Sequence, residues 1–192
     1  MQIKKQIRVL GIDDASFDKF KDKNVLVVGV VFRGGDFLDG ILSTNIKIDG
    51  KDSTNKLIKM INSSRHKGQL QYIMLNGIAL GGFNVIDINK LYKKTKFPVV
   101  VVIRNYPDLL KINKALTKLK KEDAILLLKK AGKIYKAKVK NKNIFIQISG
   151  LSLEKAKQII KLTASRALIP EPIRVAHLIA TGIKNGESRG RA

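Results

Sequence analysis

Two adjacent carboxylates, Asp13 and Asp14, close a short β-branched run, Ile7 to Ile12. The carboxyl edge of an open sheet is where ligands bind. Paired carboxylates at such an edge are costly unless solvent, hydrogen bonds or a cation neutralise them. Mg²⁺ is the fitting partner, because it is hard, prefers oxygen and keeps several waters. Its chemistry beside a phosphate is polarisation of the ester and activation of water. Asp14 alone is explained by a turn; Asp13 is the stronger candidate ligand. A second acidic group, Asp49-Gly50-Lys51-Asp52, precedes a helix. A turn and a helix cap account for both aspartates, and Asp49 is also a candidate for holding metal or positioning water. Asp36 and Asp39 flank a glycine turn and read as structural. His177 lies one helical turn after Arg174. Beside an acidic centre it could ligate metal or contact a scissile phosphate. His66 ends a helix, where a cation needs no further explanation.

Charge supplies the partner class. The 192 residues carry 38 Lys and Arg against 15 Asp and Glu, a formal charge of +23. Residues 1–52 hold 9 basic and 8 acidic side chains, and the remaining 140 hold 29 and 7. The cationic part suits a phosphate backbone, or simply solvates a surface. The acids require a cation between them and any nucleic acid. No cysteine is present, which excludes disulfides, thiolate metal sites and cysteine nucleophiles. There is no phosphate-binding glycine loop, dinucleotide fingerprint or nucleophile elbow. No apolar run can span a bilayer, and Met1 to Ile7 lacks the apolar stretch of a signal peptide. The expectation is a soluble, cytoplasmic protein without a membrane partner.

The elements that must position these residues follow from periodicity. Strands are predicted at Ile7–Ile12, Asn24–Phe32 and Phe37–Ile48, linked as an antiparallel meander. Alternation of helix and strand then implies parallel pairing. It comprises a helix from Asp52 or Ser53 to His66, a strand Gln71–Leu75, a helix capped by Asp87, and a strand Val99–Ile103. Helices are expected over Pro107–Leu119, Glu122–Ala131, Leu153–Ser165 and Ile173–Ile183. Between them Lys133–Val139 and Asn143–Ile148 form a hairpin. Its lysines, Lys136 and Lys138 among them, either flank a nucleic acid or guard an exposed sheet edge against aggregation. The 44 % apolar content supports one domain over residues 1–192 with a real core,, and residues 186–192 read as a mobile tail.

Four segments carry a resemblance. Gly11-Ile12-Asp13-Asp14-Ala15-Ser16-Phe17 resembles the first catalytic motif of endonuclease V. The whole chain more closely resembles its archaeal relatives, the endonuclease dU family, through VVGVVFRGG (Val27 to Gly35), LNGIALGGFNVIDI (Leu75 to Ile88) and IPEPIRVAHLIA (Ile169 to Ala180). The resemblance implies an α/β, ribonuclease H-like fold. That fold is a five-stranded mixed sheet with its second strand antiparallel, helices on both faces, and here an extra C-terminal hairpin and helices. It also implies a Mg²⁺- or Mn²⁺-dependent endonuclease of DNA repair, acting on DNA with deaminated bases, deoxyuridine for the closer family. By motif Asp13 falls on the first metal-binding aspartate and His177 on the histidine of the terminal helix. Arg104 falls near a basic residue that could contact phosphate, and Asp49 or Asp52 near a catalytic glutamate. One departure stands out: where the fourth core strand should end in an aspartate, this chain has Asn76. Its amide oxygen can coordinate a cation without neutralising it; either Asp14 compensates or metal affinity falls. Arg33, Arg104, Lys136, Lys138 and Arg174 are expected to grip the backbone, and Gly81, Gly82 and Phe83 to receive a base. Two alternatives share the fold: a non-catalytic nucleic-acid binder, and an RNA-directed nuclease.

Overall fold

A strand that is apolar at every position must be covered on both faces. The stretches around Val9–Ile12, Ile73–Leu75 and Val99–Val102 meet that condition, and each is almost wholly buried. In the computed structural model, which describes residues 5–188 and 190, they form the centre of one sheet. In chain order the elements are β1 (Arg8–Asp14), β2 (Asn24–Arg33), β3 (Phe37–Lys47), α1 (Ser53–Asn62), β4 (Tyr72–Asn76), the two-residue strands β5 (Ala79–Leu80) and β6 (Asn84–Val85), α2 (Ile88–Thr95), β7 (Val99–Ile103), α3 (Leu109–Lys118), α4 (Glu122–Lys130), β8 (Tyr135–Val139), β9 (Lys142–Ser149), α5 (Leu153–Thr163) and α6 (Glu171–Asn185).

The sheet order is β3-β2-β1-β4-β7-β9-β8. β1, β4 and β7 are mutually parallel, and β2 runs antiparallel between β1 and β3. This is the ribonuclease H-like arrangement that the resemblance implies. The expected extra hairpin does not stand apart: β9 pairs antiparallel with β7, so β8 and β9 extend the same sheet to seven strands. β5 and β6 pair as a separate miniature hairpin.

Alternation divides the core. Leu10, Ile12, Ile73, Leu75, Val99 and Val101 meet α1 and α2 through Leu57, Ile61 and Leu91. Val9, Met74, Val100 and Val102 meet α5 and α6 through Ile159, Ile160 and Ile173. Gly11 is on this second face, and a Cβ there would lie 2.2 Å from the main-chain carbon of Pro172. Only glycine lets the first turn of α6 rest on the backbone of β1.

Element ends differ from the expected ones by up to four residues, and those of α1 and α6 have a visible cause. α1 ends at Asn62 rather than His66, because the hydroxyl of Ser63 donates to the Lys59 carbonyl (2.7 Å) and closes the helix,. Asp52 stands at the N-cap but its carboxylate accepts from the Lys47 amide (3.2 Å) and Asn84 Nδ2 (2.7 Å), bracing the preceding turn. α6 begins at Glu171, with Pro172 inside its first turn,. It ends at Asn185, followed by Gly186 at φ +79°. Of the tail expected at residues 186–192, positions 189, 191 and 192 lie outside the described residues.

Candidate active site

The same period-two alternation places the chemistry. Asp13 follows Val9 and Gly11 onto the face covered by α6, whereas Asp14 turns to the opposite face. Asn76, next in step after Tyr72 and Met74 on β4, shares the face of Asp13. Arg104 stands just past the end of β7, in step with Val100 and Val102. Three parallel strands thus deliver Asp13, Asn76 and Arg104 to one sheet edge, and α6 lays His177 across it.

Asp13 is buried, at 3 % exposure. Its Oδ2 accepts from Asn76 Nδ2 (2.9 Å) and lies 2.9 Å from His177 Nδ1. A proton on Nδ1 donated to that carboxylate leaves the lone pair of the neutral ring on Nε2. Asp14 Oδ2 accepts from the Gly81 amide at 2.7 Å. Burial, and next the charge of Asp13, push the Asp14 carboxyl up to about 6. Asp13, Asp14, Ser16, Asn76, Arg104, His177 and Thr181 line a cleft of 440 Å³. Thr181 was not singled out in the sequence, although it follows His177 by four residues and so shares its helix face. Its hydroxyl donates to the His177 carbonyl (2.7 Å).

Among the described residues no three His, Cys, Asp or Glu side chains gather into a metal site. A cation here would need Asn76 as a ligand beside Asp13. One carboxylate and one amide oxygen, with open positions for water and phosphate, suit Mg²⁺ or Mn²⁺. The raised Asp14 carboxyl marks the same edge as a place where added positive charge is favourable,.

The geometry does not bring Asp49 to this cleft. It sits after β3 at φ +52° and lines a different cavity, of 460 Å³, against α4. Its carboxylate accepts from the Phe83 amide (2.7 Å) and pairs with Lys121 Nζ at 3.9 Å. The Lys121 ammonium also donates to its carbonyl. Asp49 therefore holds a loop, and its position before α1 gave no sign of which face that loop would take. The expected base pocket is likewise not an opening of the cleft. Gly81 and Gly82 have φ of +54° and +82°, and a Cβ on Gly82 would meet Asp49 Oδ1 at 2.6 Å. Both glycines make room for protein atoms, and Phe83 faces the cavity of Asp49.

The expected cations divide. Arg104 lines the cleft. Lys136 is exposed on β8, paired with Phe145, which pairs with Ile103 at the cleft edge of β7; exposed Lys138 lies beyond it. Arg174 is engaged by the buried Glu171, with Nη2 2.6 Å from Oε2. Arg33 pairs with Asp39 (3.1 Å) at the end of the sheet opposite Asp13. Those two positions are structural ion pairs in this geometry.

Comparison with known proteins gives a consistent picture. The family model described as endonuclease dU matches residues 5–184. A UPF0215 protein of Methanosarcina acetivorans is 52 % identical over 196 residues, covering 99 % of this chain and 97 % of that protein. The crystal structure of a protein of unknown function from Archaeoglobus fulgidus superposes with a TM-score of 0.84 at 41 % identity, over 93 % of this chain and 98 % of that one. Endonuclease V of Ciona intestinalis, solved with a 24mer DNA containing an inosine followed by a ribo-adenosine, shares the fold. Its TM-score is 0.58 at 16 % identity, over 92 % of this chain and 84 % of that one.

Proposed function

Because the chain belongs to the endonuclease dU family, we propose that it is a divalent-metal-dependent endonuclease of DNA repair, cleaving the backbone of DNA that carries deaminated bases, deoxyuridine foremost. The observation that carries this reading is the convergence of Asn76 and His177 on the buried carboxylate of Asp13, with Arg104 on the same cleft.

Asp13 and Asn76 would hold Mg²⁺ or Mn²⁺, with Asp14 adding negative charge at the same cleft. Bound there, the cation supplies Lewis acidity toward a phosphodiester oxygen and water. Arg104 offers a guanidinium to the non-bridging phosphate oxygens, where charge grows in the transition state. His177, fixed by Asp13 through Nδ1, presents Nε2 as the atom that takes or gives a proton. Lys136 and Lys138 extend the cationic rim along the neighbouring strands and hold the backbone without reading sequence.

Nicking of uracil-, hypoxanthine- and normal-base duplexes with Mg²⁺ or Mn²⁺ tests the reading, with matched RNA strands as a further arm. Cleavage of the uracil duplex that disappears in EDTA and in Asp13→Ala is the expected result. Equal cleavage by Asp13→Ala would overturn the site. Asn76 and the absence of a three-carboxylate group among the described residues favour one second reading, a non-catalytic nucleic-acid binder. That protein would bind DNA with steep salt dependence and cut nothing with either metal.

A further inference from the structure

The loop between β1 and β2 carries a feature that the proposed cleavage leaves unused. Its root is in the cleft, through Asp14 and Ser16, and Phe17 then packs on the core. Residues 18–22 form a tight turn. The Asp22 amide donates to the Asp18 carbonyl (2.8 Å), the Phe20 amide to Asp18 Oδ1 (2.8 Å), and the Asp18 amide to Asp22 Oδ2 (3.0 Å). The end of α6, the helix that carries His177, holds this loop in place. Lys184 Nζ pairs with Asp22 at 2.8 Å, and Ser16 Oγ donates to Asn185 Oδ1 at 3.0 Å.

At the tip of this braced turn stands Phe20, fully exposed and the most exposed large apolar side chain among the described residues. The turn uses the amide of Phe20, not its ring, so the fold has no need of an aromatic there. Single exposed apolar residues are common. This one is distinguished by its setting: Lys19, Lys21 and Lys23 surround it, Lys19 Nζ lies 5.7 Å over the Phe83 ring, and the loop springs from the proposed catalytic edge.

We propose that Phe20 is a stacking wedge for the DNA substrate. Its ring inserts beside a base next to the scissile phosphate, while the flanking lysines meet the adjoining phosphates. An apolar side chain pushed between base steps unstacks them, and cations around it hold the deformed strand. The bracing by Asp18, Asp22 and Lys184 keeps the ring presented, so little conformational freedom is lost on binding. The inference rests on the nuclease reading for its partner, DNA.

The test separates the two ideas. In the Asp13→Ala background, a uracil duplex carries 2-aminopurine beside the lesion, and its fluorescence rises on unstacking. The rise is expected with Phe20, absent with Phe20→Ala and retained with Phe20→Trp. All three proteins should melt alike, since the ring packs on nothing. In the active protein, Phe20→Ala should slow cleavage of the fully paired duplex by roughly tenfold to a hundredfold, the fold-change of one lost base stack. Cleavage should be unchanged when the lesion lies in an unpaired bubble. A fluorescence rise that survives Phe20→Ala, or no rise with wild-type Phe20, overturns the wedge. A dimer that Phe20→Ala dissociates would assign the ring to a contact between two copies and overturn it as well. Should the wild type cut no DNA while the Phe20-dependent rise persists, the wedge stands and the cleavage reading falls.

Discussion

Asp14 gives the most direct physical test of the catalytic edge, and it requires no substrate. Burial and the neighbouring Asp13 raise its carboxyl from 3.8 to about 6 in the folded protein. An acid with a raised folded value keeps its proton where the unfolded chain has lost it. Its penalty is therefore absent below pH 3.8, grows as the pH rises, and is complete above about 6,. The interval corresponds to about 3 kcal/mol, which for a chain of this size is about 6–12 °C in melting temperature. The assay is thermal unfolding in EDTA from pH 4 to 8, comparing wild type with Asp14→Asn. The amide keeps an oxygen for the Gly81 N–H, at 2.7 Å in the wild type, and loses the charge. Asp14→Asn should melt progressively higher than wild type as the pH rises, with the difference levelling off near neutrality. Mg²⁺ or Mn²⁺ should narrow that difference at pH 7.5, by favouring the charged carboxylate, and do little at pH 4.5. Parallel curves for the two proteins across the whole range would refute the reasoning.

Three further outcomes follow from other contacts. Gly11→Ala drives a methyl to 2.2 Å from Pro172; it should destabilise by about 3 kcal/mol, and in the protein that remains folded, cleavage should drop because His177 leaves Asp13. Asp49→Asn should lower stability by about 1–3 kcal/mol through its bonds to Phe83 and Lys121,, leaving the cleavage rate per folded molecule near wild type; a thousandfold loss would return Asp49 to the chemistry. Lys136→Ala with Lys138→Ala should reduce the slope of log affinity against log salt by about 2, as measured by fluorescence anisotropy on duplex DNA, and an unchanged slope would remove β8 from the footprint.

The strands were legible because their apolar runs leave little choice. Val99–Val102 and Ile73–Leu75 can only be buried on both faces, helical spacing marked α1, and capping residues marked α2 and α5. The hairpin of Lys136 and Lys138 was visible too, but not that β9 would dock on β7, since edge pairing depends on which strand is left uncovered. Asp13 was legible from its place at a strand end. Its link to His177 spans 164 positions, and only the resemblance of the terminal helix brought the two together. Asp49 and the Gly81-Gly82 pair show where residue types mislead. An acidic residue near a helix start and a glycine pair after a strand both suggest a ligand site. Here Gly82 vacates space that Asp49 itself occupies, and Gly81 makes room for Val25. The missing information was the path of the loop, which no local pattern encodes.

The seat of Pro172 on Gly11 has a consequence for how this architecture tolerates change. From that contact two rulers of different pitch run alongside each other: two strand steps to Asp13, about 6.8 Å, and five helix steps to His177, about 7.5 Å. Their marks coincide at the carboxylate and the imidazole. Inserting a single residue between Pro172 and His177 would swing the ring by about 100° around the helix, whereas equal insertions after Asn185 would leave both the coincidence and the contacts of Lys184 and Asn185 intact. Length variation in this lineage should therefore accumulate beyond that point and be shunned within the short interval before it.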